Sequence, residues 1–358
     1  MNARGRISIA GHVCVDLTPR LHRDPPRDPG GLFDVGSLGI SVGGCVGNTA
    51  LALASFGIDV DVQAVVGADA LGAIVREELA SAGIRSSGVR TADRATSYSL
   101  VIEPPGRDRT FWHHTGANDV FDGSEVDLTG LDLLHVGYPM LLPALVVDGG
   151  EPLRRLLARA KDAGVTTSLD LAVLDPDGPT GGVDWMCLFS HISPYLDILS
   201  PSFDDLASMT GSAAEWLPER EQSFADQLLS AGVGVVAITS GANGMSMRTA
   251  DATRLRGAGR ALADQADAWA GHSFRHEVSE IIDPVTTNGA GDASTAGLLA
   301  AVLSGREPRE AAAWAAAASR AALEGRLSRV AHIPPISSPC QPPHTPSCAR
   351  HPTEIRER

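Results

Sequence analysis

Short apolar runs rich in β-branched residues alternate along the chain with longer Ala/Leu-rich stretches of helical spacing. That alternation predicts an α/β fold with a mostly parallel central sheet and helices packed on it. Strands are expected at Arg6 to Val15, Val60 to Val66, Leu131 to Gly137, Thr166 to Leu171, Asp197 to Leu199 and Gly234 to Thr239. Helices are expected at Val46 to Phe56, Leu71 to Ala82, Pro152 to Ala163, Glu219 to Ala231, Ala293 to Leu303 and Pro308 to Glu324. Their lengths suit the crossovers that parallel neighbours need.

Two stretches break the alternation. Residues 17–41 are rich in Pro, Gly, Asp and Arg, and residues 96–114 read as two strands, Ser97 to Glu103 and Arg109 to His114, around Pro104-Pro105-Gly106. Both suit a small β flap over one edge of the main domain. Residues 336–358 are dense in Pro, Ser and polar groups and are expected to be disordered, which leaves residues 1–335 as the folded domain.

Composition narrows the chemistry. The 358 residues are 43% hydrophobic and 20% charged, an ordinary globular balance, and no apolar run is long enough to span a bilayer. With 29 basic against 43 acidic residues the formal charge is -14, which argues against broad nucleic-acid or anionic-lipid binding but leaves room for a small anionic ligand. Five scattered cysteines and an N-terminus without an exporting signal suit a reducing, cytoplasmic setting. Lys161 is the sole lysine; it lacks the flanking residues of a Walker-type loop, and its polar, helix-like surroundings predict a solvated surface residue. Phosphate must then be held by backbone amides, arginine or a metal.

The most informative stretch is Val285-Thr286-Thr287-Asn288-Gly289-Ala290-Gly291-Asp292-Ala293, which runs straight into an Ala/Leu-rich helix. Small residues let the chain turn tightly and converge its N–H groups, and the helix start adds unpaired donors and a positive dipole end. Backbone of this kind holds an anion without lysine. Asp292 has two readings: a helix cap, or a general base that takes a hydroxyl proton beside the anion hole.

Further motifs precede it. Gly11-His12-Val13-Cys14-Val15-Asp16 ends the first strand, Gly43-Gly44-Cys45-Val46-Gly47-Asn48 opens an Ala-rich helix, and Val65-Val66-Gly67-Ala68-Asp69 follows. In this order, over roughly residues 6 to 335, they resemble the ribokinase (PfkB) family of carbohydrate and nucleoside kinases. The resemblance implies a ribokinase-like three-layer α/β/α sandwich whose β flap is a lid closing over the sugar. It implies Asp292 as catalytic base and Gly289, Ala290 and Gly291 as the anion hole. Asp16, Gly43, Gly44 and Asn48 are implied at the substrate, with Arg109 and Asn118 from the lid strand and its return. Thr239, Gly241, Gly244, Ser202 and Asn288 are implied at the nucleotide and Asp205 at the metal. The implied cosubstrate is ATP with Mg²⁺, and the lid offers a homodimer contact.

The match has departures. Thr286 stands where most relatives carry an aspartate that helps bind an activating monovalent cation, and Asp283 is offset by three residues including Pro284, which weakens the expectation of that cation. Pro201-Ser202-Phe203-Asp204-Asp205 replaces an Asn-x-x-Glu motif with a shorter carboxylate, which predicts a weaker metal dependence. Ser294 replaces a common Phe, a packing change, and Asn288 is a variant common in the adenosine-kinase branch.

Other groups carry two readings each. Phe111 and Trp112 stack on a ligand or fill the lid core, and His113-His114 touch substrate or serve the lid hinge. His272 and His276 are read as a loop. Cys340, His344, Cys348 and His351 have ligand-like spacing, but the prolines between them argue against a zinc knuckle. The expected function is an ATP-dependent phosphotransferase acting on a hydroxyl of a small sugar or sugar-like substrate. The alternatives are an adenosine or nucleoside kinase of the same family and a nucleotide- or sugar-binding homologue impaired in catalysis. A dinucleotide-binding dehydrogenase fits less well, since its glycine fingerprint should open the first βα unit.

Overall fold

The computed structural model describes residues 5–26, 29–211 and 215–326. The first half runs β1 (Arg6–Gly11), β2 (Cys14–Pro19), β3 (Leu38–Gly43), α1 (Gly44–Ser55), β4 (Asp59–Gly67), α2 (Ala70–Ser81), β5 (Arg85–Ala92), β6 (Tyr98–Ile102), β7 (Thr110–His114), β8 (Leu133–Gly137) and α3 (Pro143–Asp162). The second runs β9 (Thr166–Leu169), α4 (Trp185–Ile192), β10 (Ile198–Leu199), α5 (Phe203–Met209), α6 (Pro218–Ser230), β11 (Val235–Thr239), β12 (Met245–Thr249), α7 (Ala252–Arg256), α8 (Ala266–Trp269), β13 (Ser273–His276), α9 (Ala290–Leu303) and α10 (Pro308–Leu323).

Nine strands form one sheet in the order β13-β12-β11-β10-β9-β8-β1-β4-β5. It is parallel from β11 to β5, and β12 and β13 add antiparallel at one edge. Alternation along each strand feeds two cores. Val235 and Ala237 of β11 join the layer of α1, α2, α9 and α10, whereas Val236 and Ile238 join that of α3 to α6. The second sheet, ordered β3-β2-β6-β7, is the lid.

Several boundaries differ from expectation. The run Arg6 to Val15 is two strands in two sheets: Gly11 turns with φ 117°, His12 N–H donates to the Gly137 carbonyl at 2.6 Å, and the chain leaves the core for the lid. Asp16 therefore stands on a lid strand. The helix expected from Pro152 is present after a non-helical break at Val147–Gly150, and a further short helical stretch from Pro143 precedes that break. Strand β5 was hidden by its half-exposed polar sequence, as befits an edge. His276 ends strand β13 rather than lying in a loop, and His272 just precedes it. Phe111 and Trp112 are exposed and do not form a lid core.

Lys161 is the clearest correction. Its ammonium is not solvated but donates to both carboxylate oxygens of the fully buried Asp197, at 2.6 and 2.9 Å, and to the Gly257 carbonyl. Among the described residues Cys14, Cys45 and Cys187 are free thiols, and no helix is long and apolar enough to cross a membrane. The Cys340, His344, Cys348 and His351 cluster lies outside the described residues.

Candidate active site

Parallel sheets bind ligands at the carboxyl ends of their strands. Here that edge collects His12 after β1, Tyr138 after β8, Asp170 after β9 and Ser202 after β10, and α9 starts against it. Gly289 precedes α9 with φ 74°, a left-handed conformation that favours glycine, and no side chain caps the helix. First-turn amides have no intrahelical acceptor, and a Cβ on Gly291 would meet nothing within 4 Å. An anion therefore has room at Gly291, beside a helix start whose Ala290 N–H leans on the Thr287 carbonyl at 3.4 Å.

Asp292, one residue further on, does not cap the helix. Its carboxylate turns inward: Oδ2 accepts from Asn48 Nδ2 at 2.9 Å, and Oδ1 accepts from Thr49 Oγ1 at 3.1 Å and from the Tyr138 hydroxyl. Burial pushes its pKa up, these three donors oppose the rise, and the Asp16 charge adds to it. Asn48 and Thr49 reach it because α1 packs beside α9 and opens tightly at the glycine pair. A Cβ on Gly43 would collide with the Asp16 carboxylate, and one on Gly44, at φ 73°, with the His12 ring.

Asp16 stands on lid strand β2, where its Oδ2 accepts from Asn288 Nδ2 at 2.8 Å and its Oδ1 from Cys14 Sγ at 3.3 Å. Burial raises its pKa against donors from Asn288, Cys14 and Ser99 and the Arg109 charge. Asn288, expected at the nucleotide, is thus tied to Asp16, the residue expected at the substrate. Arg109 contacts Thr287 Oγ1, which also donates to Asp108 at 2.9 Å, so the lid rests on the segment before Gly289. Its Nε is buried without an acceptor. Asn118 works on the backbone, accepting from Val13 N–H at 3.3 Å and donating to Val13 carbonyl at 2.9 Å, and so fixes the core-to-lid crossing.

The remaining expected residues lie along the other half of the edge. Thr239 N–H donates to the Pro201 carbonyl at 3.0 Å, which brings the Thr239–Gly244 turn beside Ser202. The turn is braced by buried Glu221, which accepts from Ser240 Oγ at 2.6 Å and pairs with Arg275 at 2.5 Å. Ser202 and Asp205 form a reciprocal capping box on α5, with one Asp205 oxygen accepting from Ser202 N–H at 2.8 Å. Burial pushes the Asp205 carboxyl up to about 6. Among the described residues no three His, Cys, Asp or Glu side chains converge as a direct metal cage.

Tyr138, Thr49 and Asp170 were missed. Asp170 is buried, bonded to Thr295 Oγ1 at 3.1 Å, and burial followed by the Asp292 charge raises its pKa well above the usual carboxylate value. A signal existed in each case: Asp170 interrupts an apolar strand run, Tyr138 ends another, and Thr49 adjoins Asn48. The His113 ring links lid to core, 3.0 Å from Ser99 Oγ and 3.4 Å from His12 Nε2. The arrangement offers a buried carboxylate able to accept a proton, backbone donors at a helix start, and a lid sheet beside them.

A family model described as "pfkB family carbohydrate kinase" matches residues 5–331. The chain is similar to an ATP-dependent ribose-1-phosphate kinase of Halopiger xanaduensis, 26% identical over 90% of this chain and 94% of that one. It is similar to a 1-phosphofructokinase of Rhodobacter capsulatus, 29% identical over 83% of each. Its fold is shared with an Arabidopsis thaliana ribokinase complexed with ribose and ATP, at TM-score 0.67, 19% identity, 92% of this chain and 96% of that one.

Proposed function

Because the chain belongs to the pfkB family of carbohydrate kinases, we propose that it transfers the terminal phosphoryl group of ATP to a hydroxyl of a small sugar, with Asp292 as general base. One observation carries this reading. Asp292 is buried, held only by neutral donors, and adjoins the helix start at Gly289 to Gly291, where Gly291 faces open space. Asp292 takes the acceptor proton, the amides bind the phosphoryl oxygens, and Asp16 with Asn288 orients acceptor hydroxyls. The Thr239–Gly244 turn, Ser202 and Glu221 form the nucleotide end.

The donor set suits Mg²⁺ held through water rather than by direct ligation. Asp205 keeps one carboxylate oxygen outside its capping box for such a water. When bound there, the ion would neutralise charge on the ATP phosphates.

Arg109 refines the acceptor. A buried guanidinium N–H without a partner fits an anionic oxygen, and the Halopiger relative is named for a phosphorylated sugar. A sugar phosphate is therefore the favoured acceptor, ahead of a nucleoside. The outer lid strands β3 and β7 expose Leu38, Ile40, Phe111 and Trp112, which fits a lid-to-lid homodimer. The buried free thiols Cys14 and Cys45 fit a reducing cytoplasm.

The test is ADP release with ribose, ribose 1-phosphate, fructose 1-phosphate, adenosine and cytidine. Asp292→Asn should fold and bind ATP but lose at least about a hundredfold in turnover. Near-normal turnover in that variant would overturn the mechanism. ATP binding without turnover on any acceptor would favour a binding protein.

A further inference from the structure

Tyr138 belongs to none of the glycine-rich motifs, yet its hydroxyl donates to Oδ1 of Asp292. Its ring is seated against His12, with centroids 5.6 Å apart, and His12 in turn meets His113 of the lid at 5.0 Å. The phenol keeps its proton, because burial and then the Asp292 charge push its pKa well above the ordinary value.

The titratable groups facing Asp292 come from every element packed on it. They are Asp16 and Cys14 of β2, Cys45 of α1, Tyr138 after β8, Asp170 after β9 and Asp205 of α5. All are acids. A buried carboxylate in that company takes up a proton unless hydrogen-bond donors hold it ionised. Oδ1 receives two hydroxyls, from Thr49 and Tyr138, while Oδ2 receives only the Asn48 amide. Oδ2 is thus the oxygen with a lone pair left for an incoming proton.

We propose that Tyr138 is a positioning residue that holds Asp292 ionised and turns its Oδ2 toward the acceptor hydroxyl. This rests on the reading of Asp292 as the base. It predicts that the phenol proton stays on Tyr138 throughout, while the acceptor proton passes to Oδ2.

The test is a titration of the full chain labelled with aspartate ¹³Cγ, with the Asp292 resonance assigned by its loss in Asp292→Asn. Tyr138→Phe keeps the ring packing and removes the donor, so the Asp292 midpoint should rise by about one pH unit. The acid limb of turnover should move with it, with the KM for ATP within about twofold. Global 3-fluorotyrosine labelling makes the phenol a stronger donor and should lower the midpoint, an effect absent when Tyr138→Phe carries the label. An unmoved midpoint in both experiments overturns the assignment of Tyr138. Failure of Asp292 as the base shows itself separately, by retained turnover in Asp292→Asn, and failure of the kinase reading by the absence of turnover on any acceptor in the parent chain.

Discussion

Two buried aspartates at opposite ends of the central sheet have opposite company. Asp197, at the start of β10, is fully buried and bonded to Lys161 at 2.6 Å, to Arg254 at 3.0 Å and to Thr167 N–H at 3.0 Å. Asp292, at the carboxyl end of the strands, is 4% exposed and bonded only to an amide and two hydroxyls. The first charge is neutralised and locks α3 and α7 to the sheet. The second has nothing to neutralise it, and acids around it raise the cost of ionisation. A fold that spends its sole lysine on Asp197 and leaves Asp292 without a cation has separated holding the chain together from handling a proton.

The sharpest way to break the contrast is to remove each carboxylate. Asp197→Ala leaves Lys161 and Arg254 half-buried without their counter-ion and should cost about 3–5 kcal/mol in urea denaturation. Asp292→Asn should stay within about 1 kcal/mol of the parent while turnover collapses. A large stability loss in Asp292→Asn would place both residues in one structural class.

Next in size is a pH effect on the site side alone. Asp205 titrates at about 6 in the fold against a reference of 3.8. Between those values the folded chain holds a proton that the unfolded chain has released. The Asp205 contribution to stability should therefore fall as pH rises from about 4 to 6, by about 3 kcal/mol in full. In Asp205→Asn the slope should lose this share and keep the part that Asp16, Asp170 and Asp292 contribute, as read by denaturation midpoints across the window.

The two ends were unequally legible. The helices α1 and α9 and the glycine-rich segments before them are local features, and the family resemblance they carry marks Asn48 and Gly289 to Asp292. The fork over Asp292 needed three dimensions, because Asn48 and Thr49 lie 244 and 243 residues away along the chain. Tyr138 and Asp170 each sit one position beyond a strand, where a single polar residue has no period to betray it. The end of β1 at Gly11 depends on the Gly137 carbonyl, a partner supplied only when β8 pairs alongside. Lys161 was misread for a related reason: helical polarity predicts a solvated face, and its counter-ion lies 36 residues on in another layer.

The smallest effects test whether burial or distance makes the Asp197 cluster matter. Lys161 and Asp197 approach to 2.6 Å with side chains 17% and 0% exposed. Arg256 and Asp267 approach to the same 2.6 Å with side chains 59% and 81% exposed. If distance governed, the two pairs would be worth the same. Water screens the outer pair and solvates each partner after its loss, whereas Lys161→Met strips a buried carboxylate of one of its cations. Lys161→Met should cost about 2 kcal/mol, Arg254 softening the loss, and Arg256→Ala no more than about 0.5 kcal/mol. Added salt should erase the second difference and leave most of the first. Equal losses in the two variants would mean that the Asp197 cluster is held no more tightly than a surface ion pair.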